Sequence, residues 1–169
     1  DRLQVVSTPL DLDRVLRIDN AFRGTIDDLK CLRWLRNIQL VRVDGTRINR
    51  EWLEKIATLP DIRILQIRRS SLTSQDLQPL FQATNLNTLE IIYTPVDDQA
   101  IELLSRLPVW GTLRLFGTQI SAEGAERLQS MMEGTTIVFG KGGFLGIAAN
   151  SGSLELSQIT PGSGAERAG

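Results

Sequence analysis

The chain has 169 residues, enough for one ordinary domain or for one domain followed by a fragment of another. Apolar residues make up 41% and charged residues 23% of the sequence, values typical of globular proteins, so the composition excludes a largely disordered chain. The formal net charge of -1 favours neither nucleic acid nor an anionic membrane surface as a partner. The apolar runs are far shorter than the roughly 20 residues of a spanning helix, so no membrane insertion is expected.

The residue types most used in catalysis and metal binding are scarce. The sequence has no histidine, which removes the commonest general base and most metal sites. The acidic pairs Asp27/Asp28 and Asp97/Asp98 stand at expected turns and helix starts, where capping explains them. The sequence therefore predicts a non-catalytic protein with no cofactor and no metal. Its single cysteine, Cys31, excludes an internal disulfide and is predicted to be a small buried side chain.

The first unit in chain order begins with the apolar pair Leu16 and Ile18. Three leucines at helical spacing follow it: Leu29, Leu32 and Leu35. The segment of residues 20–25 lies between the apolar pair and the leucines. It is one residue longer than its equivalent in later units and has no small hydroxyl residue at the matching position. We interpret this part as an atypical first unit, which further units would precede in a longer protein.

Seven positions then keep their chemical type through four copies of a 24-residue repeat. The apolar pairs that begin the copies are Val41/Val43, Leu65/Ile67, Leu89/Ile91 and Leu113/Leu115. Small hydroxyl residues follow at Thr46, Ser70, Thr94 and Thr118, and aliphatic residues at Ile48, Leu72, Val96 and Ile120. The next residues are Asn49, Thr73, Asp97 and Ser121. Two later apolar positions complete each copy: Leu53/Ile56, Leu77/Leu80, Ile101/Leu104 and Ala125/Leu128.

These positions predict a short strand followed by a helix in every copy. The apolar pair has the period of 2 of a strand with one buried face, and the later apolar residues have helical spacing. Asn49, Asp97 and their equivalents are good helix N-caps. Pro60 and Pro108 are expected to end the helices before them. Because one such unit cannot bury its apolar residues alone, the units must stack.

The repeat ends after Ile137 and Phe139, which stand where a fifth regular strand would begin. Glycines at positions 140, 142 and 143 follow, and the 24-residue spacing stops. This change of composition predicts a domain boundary, with one domain at residues 1–139 and a second segment at residues 140–169.

The pattern of residues 15–139 resembles the leucine-rich-repeat family, in its variety with a helix in each unit. The resemblance implies an α/β fold, a leucine-rich-repeat solenoid of strand-helix units with a parallel sheet on its concave face. It also implies an interaction scaffold whose partner is a protein or peptide, although the family serves many partners.

Side chains alternate between the two faces of a strand, so the strand residues that alternate with the buried apolar ones are expected to face outward on the concave side. Among them, Ile92 and Phe116, beside Tyr93, predict an apolar patch with a polar border. The partner-binding prediction comprises Arg42, Gln66, Arg68, Glu90, Ile92, Tyr93, Arg114 and Phe116. An alternative stays open, in which the charges only keep the sheet soluble and the following segment covers Phe116. Trp34, Trp52 and Trp110 are predicted to be packing residues.

Residues 140–169 resemble the opening of a PDZ domain of the bacterial type, as found in envelope serine proteases. The resemblance implies a loop at Leu145, Gly146 and Ile147 whose amides would bind a peptide carboxylate if the domain were complete, and a helix start near Ser163. The later parts of such a domain have no counterpart up to Gly169, so we expect no peptide binding by this segment alone. A glycine-rich tail that covers the end of the solenoid is the alternative.

Two functions remain open at this level. The first is a non-catalytic protein-protein interaction scaffold that binds its partner on the concave face. The second is a non-catalytic recognition part of a larger enzyme, such as an envelope protease, and a catalytic domain elsewhere in the gene would favour it. A bacterial cell envelope or periplasmic localisation is implied by the PDZ resemblance only, and the sequence indicates no oligomeric state.

Overall fold

The computed structural model describes residues 4–6, 15–25, 27–28, 37–45, 48–141, 147–149 and 156–159. The strands are β1 (Gln4–Val6), β2 (Val15–Ile18), β3 (Leu40–Asp44), β4 (Ile64–Arg68), β5 (Thr88–Ile92), β6 (Thr112–Phe116), β7 (Thr136–Gly140), β8 (Ile147–Ala149) and β9 (Leu156–Ile159). The α-helices are α1 (Arg50–Ala57), α2 (Ile101–Leu104) and α3 (Ala122–Met131). The segments Ser74–Gln82 and Asp98–Ala100 are 3₁₀ helices.

The fold is α/β and is built on a sheet in the order β1 to β7. Strand β1 is antiparallel to β2, and β2 to β7 form a six-stranded parallel sheet. From β3 onward each strand pairs with residues 24 positions later, as Leu65 pairs with Leu89. Strand β2 is offset by 25, since Leu16 pairs with Val41. The extra residue that the sequence shows in the first unit therefore lengthens the connection and leaves the strands in register.

One face of the sheet packs against the helices and forms the core. The apolar pairs of β2 to β6 are each at most 1% exposed, and the helical residues Leu53, Leu77, Leu104 and Leu128 are fully buried with them. Two hydroxyl groups of the repeat meet beside this core, where Ser70 Oγ and Thr94 Oγ1 are 3.3 Å apart. The repeat positions predicted to be buried are therefore buried wherever the structure describes them, except that Ile137 and Phe139 in β7 are only partly so.

The prediction of one regular helix per copy is wrong for two copies. The second copy has a 3₁₀ helix with Pro79 inside it, and the third has three 3₁₀ residues before the single turn of α2. Proline lacks the N–H that an α-helix would use at this position, which explains the 3₁₀ helix of the second copy.

The predicted N-caps form at Asn49, Asp97 and Ser121, whose side chains accept from backbone N–H groups of the first turn. At Thr73 the carboxylate of Asp76 accepts from the Thr73 N–H and hydroxyl instead.

The tryptophan prediction is confirmed for Trp52 and wrong for Trp110. Trp52 is 8% exposed and meets the ring of Phe22 edge to face at 5.7 Å. Trp110 is 58% exposed, because the N–H of Val109 donates to the carbonyl of Leu107 in a tight turn and Val109 takes the buried place. The predictions for Cys31, Trp34, Leu29, Leu32, Leu35 and Thr46 fall outside the described residues.

Strand β7 extends to Gly140, one residue beyond the predicted boundary. Strands β8 and β9 form a separate antiparallel pair, in which Ile147 is opposite Ile159. Of the predicted carboxylate loop, Leu145 and Gly146 lie outside the described residues, as does Ser163, and Ile147 begins β8. None of the helices in the described parts of the chain is long and apolar enough to cross a membrane.

Candidate functional site: the open face of the sheet

The sheet face that points away from the core, here called the open face, carries every second residue of each strand. Strand pairing aligns these residues in rows across the sheet. One row contains Arg17, Arg42, Gln66, Glu90, Arg114 and Val138. The next row toward the carboxyl ends of the strands contains Asp44, Arg68, Ile92, Phe116 and Gly140. All of the predicted partner-binding residues except Tyr93 lie in these two rows, and Tyr93 directly follows β5.

The polar residues of the first row pair across neighbouring strands. Arg42 Nε donates to Gln66 Oε1 at 2.6 Å, and Arg114 Nη1 donates to Glu90 Oε1 at 3.0 Å. Glu90 is only 8% exposed, so it lies beneath the surface that the predicted polar border would form. These cross-strand bonds hold the long side chains in fixed positions, which gives the centre of the open face a defined polar surface.

The residue that follows each of β3 to β6 has a positive φ. These residues are Gly45 (φ 127°), Arg69 (φ 48°), Tyr93 (φ 51°) and Gly117 (φ 61°). Glycine adopts this conformation freely, whereas a residue with a side chain does so at a cost of about 1–2 kcal/mol. In two of the four copies the backbone is therefore strained at the edge of the open face. The strained residues are Arg69 and Tyr93, whose side chains lie at this edge.

Arg69 forms a bidentate ion pair with Asp44 at the edge of the open face. Its Nε and Nη2 donate to the two carboxylate oxygens of Asp44 at 2.8 and 2.6 Å. Asp44 is 7% exposed, whereas the side chain of Arg69 is 64% exposed. The hydrogen bond and charge of Asp44 raise the pKa of the Arg69 guanidinium above its ordinary value. A buried carboxylate is thus neutralised by a guanidinium that remains accessible to water.

The apolar part of the open face lies at β5 and β6. Ile92 and Phe116 pair in register, and both are partly exposed. A Cβ on Gly140 would lie 3.0 Å from the ring of Phe116, and one on Gly117 would lie 2.5 Å from the ring of Tyr93. Each aromatic ring therefore rests against the glycine of the following copy. Ile92, Tyr93 and Phe116 are called the aromatic patch below.

Arg68 lies beside the aromatic patch without an ion-pair partner in the described parts of the chain. It stands between Asp44 on β3 and Ile92 on β5, and it is partly buried. Asp44 is the nearest carboxylate by strand register, but both of its oxygens bind Arg69. The guanidinium of Arg68 is therefore available to a ligand that also contacts Ile92.

Sequence reasoning did not find a groove of about 450 Å³ on the helical side of the chain. It is lined by Arg50, Gln78, Phe81, Glu102, Leu103 and Arg106. Phe81 is 40% exposed, and its position directly after the core residue Leu80 is the only signal in the sequence. The charged residues of the groove already pair with neighbours, Arg50 with Gln78 at 2.9 Å and Arg106 with Glu102.

No group of three or more side chains suited to a metal ion occurs among the described residues. Comparison with models of known protein families finds no match for the chain. A search of curated proteins finds no match either. The open face must therefore be interpreted from its own geometry.

Proposed function

We propose that this chain is a non-catalytic interaction scaffold of the leucine-rich-repeat type, which binds a protein or peptide partner on the open face. The observation that carries the proposal is the pair Ile92 and Phe116, which leaves apolar surface accessible beside the cross-strand hydrogen bonds of Arg42 with Gln66 and of Arg114 with Glu90. The 24-residue units and the parallel sheet support the leucine-rich-repeat interpretation, in which the open face is the concave one.

Rigidity makes this surface suitable for binding. Burial of apolar surface is favourable by about 25 cal/mol per Å², and a partner that covers the aromatic patch gains this free energy. The strands align Ile92 with Phe116, and the rings of Phe116 and Tyr93 lie against the backbone at Gly140 and Gly117. A surface that is already ordered loses little conformational entropy on binding, which leaves more of the gain as affinity.

The strained backbone at Arg69 and Tyr93 also supports a binding role. A glycine at either place would be more stable by about 1–2 kcal/mol in the backbone, as the equivalent residues Gly45 and Gly117 illustrate. Side chains kept at such a cost are frequent at ligand-binding sites. Both residues stand at the edge of the open face, next to the rows described above.

We further propose that residues 140–169 form a separate unit of PDZ type, with the boundary close to Gly140. The separate pairing of β8 with β9 supports this division. The role of the loop at Leu145, Gly146 and Ile147 in carboxylate binding is part of the same proposal, and it applies to a complete domain.

A selection of linear peptides tests the main proposal. The whole chain is presented to a library of random peptides displayed on phage, and the enriched peptides are synthesised for measurement of their dissociation constants. The double variant I92S/F116S should weaken binding by more than about tenfold, since central apolar residues dominate such interfaces. M131S is the matched control, because Met131 is 39% exposed on α3.

Circular dichroism and thermal unfolding establish that both variants keep the fold. Weaker binding by I92S/F116S, with M131S unchanged, supports the open face as the binding surface. Equal affinity of wild type and I92S/F116S for every selected peptide would remove this face from consideration.

A further inference from the structure

We infer that the segment bound by the open face is acidic, with a carboxylate side chain close to an aliphatic or aromatic one. This inference rests on the proposed function and specifies its partner. It follows from the distribution of charge on the open face and its edge, which differs from that of the whole chain. The chain as a whole has a formal net charge of -1.

The described strands β2 to β6 and the residues that directly follow them carry more arginines than carboxylates toward the open face. The arginines are Arg17, Arg42, Arg68, Arg69 and Arg114. The carboxylates are Asp19, Asp44 and Glu90. Each of these carboxylates is paired with an arginine, Asp19 with Arg17 at 3.2 Å. Arg42 and Arg68 are therefore left without a carboxylate partner among the described residues, and the face has an excess of positive charge.

The carboxylates of the open face are more deeply buried than the arginines, which makes the accessible surface more positive still. The carboxylate-bearing side chains of Asp44 and Glu90 are 9% and 11% exposed, whereas their partners Arg69 and Arg114 are 64% and 49% exposed. An approaching partner therefore meets guanidinium groups first. Each guanidinium has five N–H donors, and Arg114 uses Nη1 for Glu90, so donors remain for a second acceptor.

The register of the strands places Arg68 at the correct distance from the aromatic patch for one short segment to contact both. Neighbouring strands are about 4.8 Å apart, so Phe116 on β6 lies roughly 10 Å from Arg68 on β4, with Ile92 between them. A segment that crosses the strands in extended conformation repeats its side-chain direction about every 6.7 Å. A carboxylate over Arg68 thus places the side chain two residues away over Ile92 and Phe116.

Arginine is the side chain best suited to this recognition, because its planar fork binds both oxygens of a carboxylate. Arg68 is partly buried between its neighbours, which limits competition from water. The expected ligand therefore contains Asp or Glu two residues from Leu, Ile, Phe, Tyr or Trp.

The peptides selected from the random phage library against the whole chain test the inference. We expect enrichment of this acidic and apolar pair, and we expect R68E to weaken binding of the selected peptides by about tenfold or more. R127E is the matched control, since Arg127 is exposed on α3 at the helical side and the substitution makes the same change in charge. Replacement of the acidic residue of the peptide by its amide should cause a similar loss with wild type.

The outcomes separate the inference from the proposed function. Peptides that lack acidic residues, or that bind R68E and R127E equally well, would contradict the inference, and the proposed function would stand if I92S/F116S still abolished their binding. Failure to enrich any peptide, or binding that I92S/F116S leaves unchanged, would contradict both.

Discussion

The ring of Tyr93 occupies the space in which a side chain at residue 117 would begin. A Cβ on Gly117 would lie 2.5 Å from Cδ1 of Tyr93, well inside van der Waals contact, and Gly117 itself has a φ of 61°. The backbone conformation therefore favours glycine at this position, and the space that Tyr93 occupies leaves no room for a side chain. The aromatic patch depends on this residue although it has no side chain.

We predict that G117A lowers the free energy of unfolding by about 2–5 kcal/mol. The substitution adds backbone strain of about 1–2 kcal/mol and a steric clash of about 1–3 kcal/mol. G134A separates these contributions, because Gly134 has a φ of 83° but nothing lies within 4 Å of its added Cβ. Urea unfolding should show that G134A loses only the backbone share. Equal losses in the two variants would mean that Tyr93 does not constrain residue 117.

The ion pair between Arg69 and Asp44 predicts an order of stability for two variants. R69A removes both hydrogen bonds from the buried carboxylate and keeps the strained backbone, so we expect a loss of about 1–2 kcal/mol, at the low end because Arg69 is solvent-exposed. R69G loses the same bonds but relieves the strain at φ 48°. Urea unfolding should therefore place R69G above R69A and close to wild type, because relief of strain of about 1–2 kcal/mol offsets the lost bonds. An R69G variant less stable than R69A would contradict the strain assignment.

The side chain of Gln129 on α3 bonds to the outer edge of β7, the last strand of the sheet among the described residues. Its Nε2 donates to the Thr135 carbonyl and its Oε1 accepts from the Ile137 N–H, both at 3.1 Å. A further parallel strand would bond to the same carbonyl and the same N–H. The carboxamide therefore takes the place of the N–H and C=O of one residue of a neighbouring strand.

We predict that Q129L lowers the free energy of unfolding by about 0.5–1.5 kcal/mol, because two backbone groups at a water-accessible edge lose their protein partner. Faster hydrogen exchange at the Ile137 amide should accompany this loss. Q75L is the control, since Gln75 is exposed on the 3₁₀ helix of the second copy. If the Ile137 amide exchanges at the wild-type rate in Q129L, the carboxamide does not protect this edge.

The strands and their register can be predicted from the sequence because every copy must bury an apolar pair, and these pairs recur every 24 residues. Leu65 and Leu89 are aligned in the sheet for this reason. The cross-strand bonds of Arg42 with Gln66 and of Glu90 with Arg114 follow from the same spacing. The partner-binding role of these residues stays a prediction, since it depends on a molecule that the fold does not specify.

Other features escaped prediction because they depend on single residues and not on the repeat. Pro79 changes the helix type of one copy, and the turn at Val109 moves Trp110 to the surface. The glycines at positions 45 and 117 indicate a left-handed residue after each strand, but Arg69 and Tyr93 conceal the pattern in the two central copies. A side chain in that conformation is stabilised by its contacts across strands, which only the folded chain reveals.

The central claim, that binding occurs on the open face, is tested most directly by one comparison of dissociation constants. Phe116 lies on the open face and Phe81 in the groove on the helical side, and both are partly exposed. Isothermal titration calorimetry with a selected peptide should show that F116S raises the dissociation constant by about tenfold or more. The dissociation constant of F81S should stay within about twofold of the wild-type value. The reverse result, a loss with F81S and none with F116S, would place the binding surface on the helices and contradict the account.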